Sequence, residues 1–373
     1  MYYNHRIINE KDATLKVCKF GGSSLADAKC FACVKKILSS DRARKVVVVS
    51  APGRRFSNDE KITDLLLGAY AKKSVSDKII ALNAAFSRFY GVAKDLDLKI
   101  PLDEELKTIY ENLREGEDYV VSRGEYLSAK IAAEYFGFVF YDAKDLFFFD
   151  GTGAVDYEKT CSAFSKIKKY PVVIPGFYGS DESGKVKLFP RGGSDVSGSL
   201  AAAALNADVY ENFTDVSGVF PVDPSFGLGL SPIKEIGAKE LSRMSARGAK
   251  VLSEGALFPL AEKSVALRIK NTFRPKSDGT TVSFNGTRKR GLVGVCSLKS
   301  KARYGFTDVS AVFSGAAYDN GERGALALKE KGVCFTRQFV EDGGETLVFS
   351  VREKDEAAAV AAVYRAYSTK TAF

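Results

Sequence analysis

Histidine is nearly missing from this chain. One residue in 373, His5, lies in a polar N-terminal extension, which argues against Ser-His-Asp and Cys-His hydrolases and leaves a histidine-built metal site without ligands. Cysteine is sparse too. Six residues are too few for a disulfide scaffold, and Cys30 and Cys33 have no second C-x-x-C pair to complete a four-thiolate zinc site. They stand in A-K-C-F-A-C-V-K-K, where the pattern predicts a helix; residues three apart share one face, as buried free thiols would, although the spacing also leaves a redox role open. No apolar run approaches the roughly 18 residues of a membrane span. Met1 to Thr14 shows no basic start, apolar stretch and cleavage site, so a cytoplasmic location is expected.

With only 10 prolines, 45% hydrophobic and 27% charged residues, the composition is globular. The formal charge of +9 suits polyanions or small anionic ligands. However, the longest basic cluster, Arg288, Lys289 and Arg290 followed by Lys299, Lys301 and Arg303, has aromatic residues, Tyr304 and Phe306, only at its end. It reads as a solvated linker, and neither a nucleic acid nor a membrane is expected as partner.

The length favours two domains. Val- and Ile-rich runs alternate with helical patterns, the mark of an α/β domain with a mostly parallel sheet. Leu15 to Phe20, Lys45 to Ser50 and Pro171 to Gly176 read as strands, and Ser122 to Phe136 as a helix opening on a Ser-x-x-Glu capping box. Turn signals at Pro275, Gly279 and Gly286 precede a change of composition near Arg290. The expected domains are therefore 1–290 and 291–373, the second a small α+β module with two helices and two or three strands.

Two glycine turns carry the chemistry. K-F-G-G-S-S, Lys19 to Ser24, joins a strand to a helix; Gly21 and Gly22 allow close backbone approach to an anion, and Lys19 adds a charge for a group that becomes more negative in the transition state. R-G-G-S-D, Arg191 to Asp195, again precedes a helix, with an arginine suited to bidentate carboxylate binding. Its plain alternative is that Ser194 or Asp195 caps the helix. Gly179 to Val186, G-S-D-E-S-G-K-V, imitates a P-loop but has Val186 where a magnesium-binding hydroxyl belongs, and Pro190 soon follows; it reads as a hairpin loop. Two facing anion sites suit phosphoryl transfer, which depends on positioning and charge neutralisation and needs no nucleophile from the protein.

K-F-G-G-S-S, S-A-P-G with I-T-D-L-L, S-R-G-E-Y-L-S-A, G-F-Y-G, R-G-G-S-D, T-D-V-S-G-V-F-P-V-D-P, G-A-K-V-L and I-K-N-T-F-R-P follow one another over roughly residues 15 to 285. This ordered set resembles the aspartate kinases of the amino acid kinase superfamily. The resemblance implies a mostly parallel sheet sandwiched by helices, followed by an ACT-like module, and ATP-dependent phosphorylation of the aspartate side-chain carboxylate with Mg²⁺ and no covalent intermediate. Lys19, Gly21, Gly22 and Ser23 match the phosphate-binding turn. Thr63, Glu125, Phe177, Arg191, Ser194 and Asp195 match the amino-acid side, with Lys19 and Asp195 the catalytic pair. Thr214, Asp215, Gly218, Phe220, Asp223 and Lys250 match the nucleotide side, and no residue is assigned to a resident metal. For Glu125 the capping box is a rival role; for Asp215 and Asp223, a plain turn. A kinase of another small acid, or a silent amino-acid sensor, are the rival functions. Ser225 and Ser253-Glu254 depart from the family pattern. So does the length: 291–373 has room for about one ACT module where two are usual, so pairing between subunits, in a homodimer or larger assembly, is expected, with weak feedback inhibition.

Overall fold

The computed structural model describes residues 14–190, 192–249, 251–285, 290–317 and 319–368. They group into two compact units, Met1–Val216 with Gly255–Ser277 and Ser217–Glu254 with Asp278–Phe373. In chain order the strands are β1 (Lys16–Phe20), β2 (Arg44–Val49), β3 (Val139–Phe140), β4 (Val172–Pro175), β5 (Tyr178–Ser180), β6 (Val186–Leu188), β7 (Val209–Thr214), β8 (Glu235–Gly237), β9 (Ala266–Asn271), β10 (Thr280–Ser283), β11 (Gly291–Lys299), β12 (Phe306–Ser314), β13 (Phe335–Glu341) and β14 (Thr346–Arg352). The helices are α1 (Ala28–Ser39), α2 (Ile62–Tyr70), α3 (Val75–Asp95), α4 (Leu102–Glu111), α5 (Glu117–Phe136), α6 (Tyr157–Ser165), α7 (Gly193–Ala204), α8 (Ala238–Ala246), α9 (Leu257–Lys263), α10 (Glu322–Glu330) and α11 (Glu356–Ser368).

In the first unit β3, β4, β2, β1, β7 and β9 lie side by side, every pair parallel. Four consecutive valines of β2 are wholly buried because a central parallel strand is covered on both faces. Alternation assigns the faces. Cys18 and Phe20 of β1, Val47 and Val49 of β2 and Phe213 of β7 join one core with residues of α1, α2, α3 and α5. Phe20 stacks on Phe213 with ring centroids 4.7 Å apart. Val17, Lys19, Tyr210 and Asn212 point to the other face, where α7 runs so close to Tyr210 that a Cβ on Gly198 would lie 2.5 Å from the phenol oxygen.

The predicted strands at 15–20, 45–50 and 171–176 are β1, β2 and β4 within a residue or two. The P-loop imitation is a hairpin: β5 and β6 pair antiparallel, and the Asp181 side chain accepts from the Ser183 and Lys185 N–H groups at 2.9 and 3.0 Å across the turn. Cys30 and Cys33 do lie on a helix, but both are half-buried. One expectation fails outright. The capping box Ser122-x-x-Glu125 caps nothing, because α5 begins at Glu117 after Gly116, and the Ser122 hydroxyl donates to Tyr119 O at 2.7 Å inside the helix.

In the second unit β8 and β10 pair in parallel, while β11, β12, β14 and β13 form an antiparallel sheet in that order. Two of these four strands, β12 and β13, were not foreseen; F-T-D-V-S-A-V-F-S interrupts its apolar alternation with Asp308, and F-T-R-Q-F-V-E is polar at its centre. The core beneath joins Val309, Ala311 and Phe313 of β12 and Leu347, Phe349 and Val351 of β14 to Leu328 of α10 and Val360 and Val363 of α11.

Candidate active site

The carboxyl ends of the central parallel strands carry the motifs of the first unit, as open α/β sheets generally place their ligand sites. Gly21 follows β1, Ser50 to Gly53 follow β2, Gly176 and Phe177 follow β4, and Asp215 follows β7. After β1 the chain enters a short 3-10 turn, Gly22–Leu25. There two backbones touch: Gly53 N–H donates to Gly22 O at 2.8 Å, and a Cβ on Gly22 would stand 2.8 Å from Ala51 O, one on Gly53 2.7 Å from Gly22 C. Both positions need glycine for space. Ser23 is half-buried in the turn, whereas Ser24 is buried and its hydroxyl bonds that of Thr272 at 2.6 Å.

Lys19 projects from β1 towards α7, where its ammonium meets Asp195 Oδ1 at 2.7 Å with the side chains 11% and 15% exposed. Asp195 lies in the first turn of α7, which starts after Gly192 in the left-handed region with no side-chain cap. The N-cap is Gly192, not Ser194 or Asp195, so the plain alternative falls. Phe177 adopts a positive φ of 76° and packs at the start of α7, its N–H donating to Ser197 Oγ at 3.2 Å. Arg191 and Lys250 lie outside the described residues.

Glu125 is 3% exposed on α5, and its Oε2 has no hydrogen-bond partner. Burial pushes its carboxyl up to about 8, against the opposing pull of the Ala51 backbone and the Arg123 charge. Gly124 makes this possible, since a Cβ there would come within 2.9 Å of the Ala51 side chain and 3.2 Å of Ile62. Thr63, the residue after Ile62, sits half-buried in the first turn of α2. Two roles escaped the sequence. Arg123 is buried over the rings of Tyr119, Tyr126 and Tyr178, at 4.5, 4.5 and 5.3 Å. Asn212 of β7 donates to Asp195 Oδ1 at 3.0 Å. The available signal was a polar residue at the centre of the strand V-Y-E-N-F-T.

The nucleotide-side residues divide between the units. In the first, Thr214 Oγ1 donates to the exposed Asp215 carboxylate at 3.1 Å, and Asn271 Nδ2 donates to Asp215 O at 3.1 Å. In the second, Gly218 has φ 128° and leaves room for Thr280, whose hydroxyl accepts from Val219 N–H at 2.9 Å. Phe220 is half-buried, and the exposed Asp223 accepts from Ser225 N–H at 2.8 Å, capping a 3-10 turn.

The amino acid kinase family model matches residues 14–271. Aspartokinase 3 of Bacillus subtilis is 33% identical over 361 residues, covering 91% of this chain and 78% of that protein. Aspartate kinase of Clostridium acetobutylicum superposes with a TM-score of 0.79 at 28% identity, over 95% of this chain and 99% of that one. The fold is also that of E. coli aspartokinase III in complex with aspartate and ADP, with a TM-score of 0.81 at 19% identity and coverage of 94% and 99%.

Proposed function

Because the chain belongs to the amino acid kinase family, and within it to the aspartokinases, we propose that it transfers the γ-phosphoryl group of ATP to the side-chain carboxylate of L-aspartate. A carboxylate oxygen bonds to the γ-phosphorus as the bond to the β–γ bridging oxygen breaks, giving 4-phospho-L-aspartate and ADP. This is the entry to lysine, threonine and methionine biosynthesis. No proton moves and no enzyme nucleophile is needed, so a chain with one histidine loses nothing by it.

The observation that carries the reading is the buried Lys19–Asp195 pair at the carboxyl end of β1, immediately before the Gly21-Gly22 turn. Backbone N–H groups of Gly22 and Ser23 hold phosphate oxygens, Gly21 shaping the turn with its own N–H on Phe213 O at 3.2 Å, and the Lys19 ammonium neutralises charge that grows on the transferring group. Asp195 orients that ammonium. On the amino-acid side, Arg191 grips the substrate carboxylate, Glu125 receives the ammonium group, and Thr63, Phe177 and Ser194 line the approach. Thr214, Asp215, Gly218, Phe220, Asp223 and Lys250 are assigned to the nucleotide by their motifs. Mg²⁺ would enter as the counter-ion of ATP, where ions of this kind keep phosphate oxygens and water as ligands. Bound there, it offsets phosphate charge.

By role, 1–290 is the catalytic domain and 291–373 a shortened ACT-like regulatory module; we place the enzyme in the cytoplasm as a homodimer or larger assembly. Sedimentation tests the assembly. For the reaction, ADP release is measured with aspartate, glutamate, acetylglutamate and carbamate in turn. Release with aspartate alone supports the reading, release with another acid moves the protein to a different substrate, and none with any makes it a sensor.

A further inference from the structure

Asn212 occupies a position where stability alone calls for an apolar residue. It sits in the middle of β7, 1% exposed, directly paired with Lys19 of β1 on one side and Ile269 of β9 on the other. Its Nδ2 donates to Asp195 Oδ1, the same oxygen that receives the Lys19 ammonium. Its Oδ1 is buried without any partner. Turning the amide over would set that oxygen against the carboxylate, so the orphan is the consequence of serving Asp195. A buried amide oxygen with no bond carries an uncompensated desolvation cost, and valine or isoleucine would avoid it, as Ile269 does on the neighbouring strand.

We propose that Asn212 is a positioning residue for phosphoryl transfer: it fixes the rotation of the Asp195 carboxylate so that Lys19 is held in one orientation. An N–H from a rigid strand on Oδ1 gives the carboxylate a fixed direction that the ammonium at the end of a flexible lysine does not supply. The inference rests on the kinase reading above, but its geometry does not depend on the identity of the substrate.

Asn212→Leu keeps the volume and removes the donor. It lowers kcat about 10- to 100-fold, the scale of a misplaced reacting group, with the Michaelis constants for ATP and aspartate and the Tm little changed. A kcat within about twofold of the parent's overturns the proposal. Asn212→Asp gives a signature that packing cannot. Among the described residues the titratable groups on this face are Lys19, Asp195 and the Tyr210 phenol, which donates to Asp195 O at 3.2 Å. Ionised, the new carboxylate repels Asp195; protonated, it donates to Asp195 as the amide does. Its activity relative to the parent therefore rises as pH is lowered, and a profile parallel to the parent's overturns the proposal even where the leucine variant fails to fold. A third readout is independent of activity: the ¹³C signal of reductively methylated Lys19, assigned with Lys19→Arg, moves in Asn212→Asp as the pH is raised. If the parent releases no ADP with aspartate, the functional reading fails, and this signal still decides the positioning claim, an unmoved signal refuting it.

Discussion

The two units differ in what accompanies their glycine-rich turns. In the first, the Gly22–Gly53 backbone contact stands beside charged and polar pairs: Lys19 on Asp195, Asn212 on Asp195, and further along the sheet Arg44 bidentate on the buried Glu211 at 2.7 and 3.1 Å. In the second, backbone meets backbone. Val295 N–H donates to Pro221 O at 2.7 Å, and Gly248, at φ 109°, lies so close to β11 that a Cβ would stand 2.2 Å from Ser297 O. Reactive groups need adjustable charge and so sit among partners with matching polarity. The segments around Pro221 and Gly248 need their main chain in one place, and a strand is a stiff thing to pin it to.

Lys19→Ala would break that contrast most sharply. The variant should lose about a thousandfold in kcat with its aspartate Michaelis constant nearly unchanged and its melting temperature lowered, because Asp195 loses its ammonium partner; steady-state ADP release decides it, and an unaltered turnover rate would remove Lys19 from the chemistry. In the second unit the expectation is reversed. Gly248→Ala should destabilise the fold by about 2 kcal/mol or more in urea titrations, while the folded fraction keeps its kcat.

Glu125→Gln sharpens the comparison from the first unit. The parent carboxyl, held near 8 against an ordinary 4.5, favours its protonated form in the folded chain. That contribution to stability is complete below about pH 4.5 and is lost as pH rises through about 8. Melting curves from pH 5 to 8 should therefore fall more steeply for the parent than for Glu125→Gln. The variant should also raise the aspartate Michaelis constant about tenfold, since it cannot become an anion for the substrate ammonium. Parallel melting curves and unchanged kinetics would leave Glu125 as an ordinary buried residue. The smallest effect on stability belongs to Asp223→Ala, about 1 kcal/mol from the lost cap of a short exposed turn. Its ATP Michaelis constant should rise as well, and an unchanged one would leave Asp223 as a plain turn residue.

Much of the first unit was legible because its signals are local. Four valines in a row mark a doubly covered strand, and glycine pairs mark the turns after β1 and before α7. Glu125 was identified, but its capping alternative looked sound because Ser-x-x-Glu is a helix-start pattern; only the five helical residues before Ser122, beginning at Glu117, show that the start lies elsewhere. Asn212 and Arg123 escaped for a different reason. Their partners are 17 residues away in α7 for Asn212 and as distant as Tyr178 for Arg123, and no periodicity within a strand or helix reports a contact made across the sheet. The missed strands β12 and β13 failed the alternation test because their polar residues find partners far along the chain, Asp308 with Ser350 at 2.7 Å in the sheet and Gln338 with Asn320 O at 2.7 Å outside it.

The alternation along β1 bears on how such a chain can change its length. Lys19 faces Asp195, while its neighbours Cys18 and Phe20 are committed to the dry side. Loss or gain of one residue within Lys16–Phe20 would turn the lysine into the apolar core and present a thiol or a phenyl ring to the phosphate. The length of this strand is therefore frozen together with the glycine turn that follows it, and a library of single-codon deletions across residues 14 to 27 should show a dead zone running from β1 through Gly22.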